Sequence, residues 1–196
     1  EERLKSVHLF LGIGAACAVS ALHPDPAGAT TCSTTGGCSN TVSSDYSEVL
    51  SGGFSSVGTA ADWSVIDGGE SNYIAYASDY GAIAGGYSNQ IASYGPASFI
   101  GGGYSNYIYG GTSSNVGFAN TIMGGRDNGI TAVNDYSFIG GGLNNTISAA
   151  SGIAATIGGG ENNQITAGNY GTILGGYHNT CSGSYARSSS TTVARG

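Results

Sequence analysis

Lysine occurs once in the 196 residues, at Lys5, and lysine and arginine together number five. With a formal net charge of −7, the chain lacks the row of cationic contacts to phosphate on which nucleic-acid binding depends. No GxxxxGK[ST] phosphate loop is present. Proline occurs three times and there is no strict Gly-X-Y period, which excludes collagen. Histidine occurs three times, and only His178 lies outside the N-terminal stretch. It sits in a slot that serine fills elsewhere, so no Ser-His-Asp constellation is expected. Between Asn40 and Cys181 the single basic residue is Arg126, against nine carboxylates. A polysaccharide-cleaving site would need acids or bases clustered on one face. No enzyme activity and no cofactor are expected.

Glycine, in contrast, supplies 36 residues and tyrosine 13, in a chain that is 40% hydrophobic. That content is too apolar for an ordinary disordered tail. The glycines are not scattered. One phrase recurs: an aliphatic residue, a spacer, Gly-Gly, two variable residues, Asn, one residue, Ile. It runs from Ile66 to Ile74, Ile83 to Ile91, Ile100 to Ile108, Ile122 to Ile130, Ile139 to Ile147 and Ile157 to Ile165. A seventh copy opens at Ile173 and closes on Asn179-Thr180-Cys181. Worn copies stand at Gly36 to Val42 and Leu50 to Gly53. From Leu50 the leading residues are spaced 16, 17, 17, 22, 17, 18 and 16 apart.

A period near 17 is too short for a helical repeat or a propeller blade. It fits one coil of a β-solenoid, an all-β fold of about nine coils spanning residues 30–182. Segments such as Tyr136 to Gly140 and Asn145 to Ile147 favour strands, and Gly-Gly between them suits a tight corner. Ile66, Ile83, Ile100, Ile122, Ile139, Ile157 and Ile173 are expected to stack into an inner column, each coil stabilised by its neighbours. Nine coils at the inter-strand spacing make a rod on the order of 43 Å long. The 22-residue interval, with Gly110 to Ser114, reads as a loop bulging from one coil.

Asn40, Asn72, Asn89, Asn106, Asn128, Asn145, Asn163 and Asn179 hold equivalent places. Their amides both donate and accept, so stacked copies can bond along the rod, and Asn also tolerates left-handed backbone. A ladder or corner role is expected; a ligand-facing amide array is the alternative. Tyr87, Tyr104 and Tyr177 follow Gly-Gly, while Trp63, Tyr80, Tyr136 and Tyr170 lie three residues before a leading isoleucine. These predict aromatic columns, used for lateral packing or for stacking on sugar rings. Ice binding on a flat face is a further option, without the threonine ladder it would call for. Asp67 and Glu70 flank one Gly-Gly turn and offer oxygen ligands of the kind calcium takes. They are not repeated, and surface charge is the plainer reading.

Ser64-Val65-Ile66, Ser98-Phe99-Ile100-Gly101 and Ala155-Thr156-Ile157-Gly158 resemble the head repeats of trimeric autotransporter adhesins. The resemblance covers roughly residues 34 to 181. It implies a trimeric β-roll head on a cell surface. The chain departs from that family in its longer period, its Gly-Gly-x-x-Asn signature and its excess of tyrosine, and it shows no stalk heptads or membrane-anchor strands.

Residues 1–29 differ in kind. A charged start is followed by an apolar run from Val7 to Leu22, then His23-Pro24-Asp25-Pro26 and an Ala27-Gly28-Ala29 site, the pattern of a secretory leader. An extracellular or surface location is therefore expected, with residues 183–196 a Ser/Thr-rich tail. Cys17 lacks the leading aliphatic residue of a lipoprotein site. Secretion permits disulfides; Cys32 and Cys38 are placed to close the Ser33-to-Gly37 loop. Cys181 is then the odd cysteine, which suggests pairing between chains. Asn144-Asn145-Thr146 is a glycosylation sequon. The expected partners are other copies of the chain, with glycans or a host surface component as the alternative. A fibre subunit assembled by stacking rods is the leading functional expectation, and an adhesive or carbohydrate-binding head the second.

Overall fold

The computed structural model describes residues 39–131, 133–149, 153–167, 169–182 and 192–194. Within them there is no helix. The chain is a β-solenoid, and one coil shows how the repeat phrase builds it. Val65–Ile66 forms a two-residue strand, Gly68 and Gly69 turn the corner, and Tyr73–Ile74 forms a second strand. The backbone then passes two further turns, at Ala77 and Tyr80, before Ala82–Ile83 opens the next coil. Successive side chains of a strand point to opposite faces. The first residue of each pair therefore faces out, and the isoleucine faces in, fully buried. Left-handed residues bound the strands closely. Trp63 (φ 61°) stands two residues before Val65, and Ser71 (φ 58°) two before Tyr73.

Stacked coils pair their strands in parallel, giving two nine-stranded sheets among the described residues. Nine strands per sheet correspond to about eight full turns. In one sheet the register runs Ile66, Ile83, Ile100, Ile122, Ile139, Ile157, Ile173. In the other it runs Ile74, Ile91, Ile108, Ile130, Ile147, Ile165, Cys181. The two columns close on one another as a single core, with the smaller Val42, Val49 and Val57 at its N-terminal end. Burying each isoleucine contributes about 2 kcal/mol, and only the neighbouring coils make that burial complete. A third parallel ladder, one residue wide, runs through the position after Gly-Gly: Gly53, Glu70, Tyr87, Tyr104, Arg126, Leu143, Glu161, Tyr177.

The 22-residue interval does not disturb the stack. Ile100 and Ile122 remain register partners, and the surplus residues form an antiparallel hairpin, Gly111–Thr112 with Asn115–Val116. Thr192–Ala194 pairs with Thr172–Gly175 as the last strand of the second sheet. The apolar N-terminal segment, Cys32 and Cys38 lie outside the described residues.

Candidate functional site

Every asparagine of the recurring slot is buried. From Asn72 to Asn179 they form an unbroken ladder. Asn89 donates its backbone N–H to Asn72 Oδ1 at 2.9 Å, and its Nδ2 to the same oxygen at 3.2 Å. The same Nδ2 donates to Gly85 O at 2.9 Å and to Gly103 O at 3.0 Å, tying the side chain to the Gly-Gly corner of its own coil and of the next. Asn106, Asn128, Asn145 and Asn163 repeat this set. Between Asn40 and Asn72 a serine stands in: Asn40 Oδ1 accepts from Ser55 N, and Ser55 Oγ accepts from Asn72 N. Buried amides satisfied in this way have no atoms left to meet a ligand on the lateral surface, so the ligand-facing array is set aside.

The corner role falls one residue earlier. Ser71, Ser88, Ser105, Asp127, Asn144, Asn162 and His178 carry φ between 52° and 58°. His178 is thus a corner residue, its ring 4.6 Å from that of Tyr177. Asn144, the sequon residue, is exposed and donates to Asn162 Oδ1 at 2.6 Å. The second glycine of each pair is fixed more tightly: at Gly103 (φ 92°) a Cβ would lie 2.1 Å from Gly125 O. No side chain fits there.

The aromatic residues separate onto two different corners. Trp63, Tyr80, Tyr136 and Tyr170 share one with Tyr46, which the sequence pattern missed because its coil is a worn copy led by Val49. All five have positive φ, between 53° and 61°, where bulky side chains are rare. Tyr46 and Trp63 stack at 4.1 Å and 7°. On the other corner Tyr87 and Tyr104 stack at 5.2 Å and 12°, and Arg126 Cζ lies 5.4 Å from the Tyr104 ring. Tyr177 shares that corner but is separated from Tyr104 by Arg126, Leu143 and Glu161. Rings stacked along the rod turn faces toward one another, which leaves one outer face per ring for a sugar, and Arg126 lies over that of Tyr104. Tyr80 and Tyr136 form no such ring pair and are 62% and 64% exposed.

The chain matches no family model, no curated protein and no solved structure. Its own geometry carries the functional argument. Asp67 and Glu70 are exposed, and among the described residues no three His, Cys, Asp or Glu side chains are grouped to hold a metal ion. Cys181 occupies the trailing isoleucine slot of the last coil, 3% exposed and in no disulfide among the described residues, so its thiol packs in the core column.

A second polar ladder was legible but unread. Val49, not Leu50, leads its coil as the register partner of Ile66, and two residues before the leading aliphatics stand Ser47, Ser64, Gly81, Ser98, Asn120, Ser137, Ala155 and Gly171. Ser64 Oγ donates to Ser78 O and accepts from Gly81 N, each at 3.0 Å; Asn120 Oδ1 accepts from Ser137 N at 3.0 Å. Small polar residues alternating with glycine at one repeat position are the signal that would have found it.

The two ends of the rod remain. In the first sheet Thr41–Val42 and Thr180–Ser182 are the outermost strands, in the second Glu48–Val49 and Thr192–Ala194. Among the described residues each pairs on one side only.

Proposed function

We propose that the chain is a non-enzymatic structural protein of an extracellular fibre or surface appendage, polymerising by end-to-end stacking of solenoid rods. One observation carries this reading: parallel sheets whose terminal strands pair on one side only among the described residues. Such edges present rows of N–H and C=O groups that template another strand. Identical ends of opposite polarity make a heterologous contact, and heterologous contacts that do not close into rings give open filaments. The secretory-leader pattern of residues 1–29 supplies the extracellular address. The test is the state of the purified full-length chain at micromolar concentration. Sedimentation and negative-stain micrographs should show unbranched filaments about one solenoid wide; a discrete monomer under all conditions overturns the proposal.

A second reading rests on Tyr80 and Tyr136, exposed rings held on left-handed backbone without a stacking partner ring. Strained positions are retained where they have a use, and an adhesive surface for glycans is one. Tyr80→Ala with Tyr136→Ala would abolish glycan retention in affinity electrophoresis if these rings form the platform, and leave it unchanged if they do not.

A further inference from the structure

We infer that the asparagine ladder is itself the joint between rods, with Asn179 of one chain receiving Asn40 of the next. This rests on the end-to-end reading above and adds its register and its chemistry. The ladder is directional. In every interior step the later asparagine donates, and the earlier Oδ1 accepts. At the C-terminal end Asn179 gives its N–H and Nδ2 to Asn163 Oδ1 at 3.1 and 3.0 Å and its Nδ2 to Gly175 O at 3.0 Å. Its own Oδ1 accepts from none of the described residues. At the N-terminal end Asn40 presents the complement. Among the described residues its Nδ2 makes one bond, to Gly52 O at 3.1 Å, and no earlier-coil Oδ1 receives it. Within the described residues one end is thus an acceptor short of donors, the other a donor short of an acceptor.

A second copy of this chain supplies both with the same geometry, because its first coil is built like the one that would follow the last. The register that sets Asn40 on Asn179 also sets Thr41–Val42 beside Thr180–Ser182, and Val42 against Cys181. These are the smaller members of the column, buried at the two ends of the core. Head-to-head or tail-to-tail contacts would place two donors or two acceptors together and leave the buried amides unpaired, which is costly. The joint is therefore polar, and every rod in a filament points the same way.

Cysteine trapping in the full-length chain tests this. With Cys17, Cys32 and Cys38 changed to Ser and Cys181 to Ala, Thr41→Cys and Thr180→Cys, the positions that the same register sets side by side while both amides stay in place, are introduced singly and together. Ladder neighbours stand one inter-strand spacing apart, about 4.8 Å, within reach of a disulfide. The two ends of one rod are separated by about eight such spacings, too far for a bridge within a chain. Mild oxidation should give a ladder of covalent oligomers from the double variant. A mixture of the two single variants should stop at dimers containing one of each, and each single variant alone should stay uncoupled. Filaments without the 41–180 bridge would overturn this joint and leave the polymer standing. Bridges formed by one single variant alone would overturn the polarity. Monomers in sedimentation for both the parent and the double variant would overturn the fibre reading itself.

Discussion

One oxygen, Asn89 Oδ1, accepts both the backbone N–H and the side-chain amide of Asn106 in the next coil, each at 3.0 Å. The same arrangement recurs along the rod, so each amide is held by the coil before it and holds the coil after it. Removing one member orphans buried groups on both sides. Asn106→Ala strips Gly102 O and Gly125 O of a donor, and Asn128 N and Nδ2 of an acceptor. The expected loss is about 3 kcal/mol, since a buried group left unsatisfied costs 1–3 kcal/mol. Equilibrium urea unfolding measures it. A loss within error of zero would show that water replaces the ladder.

The aromatic corner yields an effect of opposite sign. Ala97 and Ala119 share that corner with Trp63 and Tyr80, at φ 55° and 52°. Left-handed backbone costs an ordinary residue about 1 kcal/mol, and neither methyl belongs to the buried core. Ala97→Gly should therefore stabilise the rod, against the usual trend for glycine in a β protein. Thermal unfolding of Ala97→Gly against the parent decides it; a lower midpoint would show that unfolded-chain entropy outweighs the relieved strain.

Two buried serines of the second ladder should respond differently to the same change. Ser64 Oγ has both a donor and an acceptor partner at 3.0 Å, whereas Ser137 Oγ is buried with no hydrogen-bond partner among the described residues. Ser64→Ala is expected to cost about 1–2 kcal/mol, and Ser137→Ala to be neutral or stabilising. Equal losses in chemical denaturation would refute the distinction.

Burial, and then the neighbouring Tyr109, hold the Tyr107 phenol above its ordinary value of 10.0. As pH rises through 10.0 the unfolded chain loses this proton first, while the folded chain keeps it. Native stability contributed at this site is thus full below that pH and is lost as pH climbs toward the folded value. Tyr107→Phe should flatten the alkaline limb of a stability-against-pH curve, read by urea unfolding at successive pH values. An unchanged limb would place the alkaline loss elsewhere.

The repeat determined the scaffold before any coordinates. Ile139 and its equivalents recur with the same neighbours every coil, so one environment serves them all, and the only place that wants a β-branched residue every 17 positions is a shared interior. The same logic gave Asn106 a ladder or corner role and put Gly-Gly at a tight corner. What recurrence leaves open is orientation within a coil. Whether Asn106 or Ser105 takes the left-handed backbone depends on where the strand pair begins, and the structure assigns it to Ser105. Trp63 and Tyr87 already fall in different slots of the repeat, but that Trp63 stacks on Tyr46 across a worn copy is decided by the fold. Cys181 is inside because Ile165 is its register partner, and Thr192–Ala194 belongs to the rod because the open edge beside Thr172–Gly175 takes up its hydrogen bonds. Sequence period fixes which residues are equivalent; only the closure of the coil, with two sheets and three corners around one core, decides which way each of them faces.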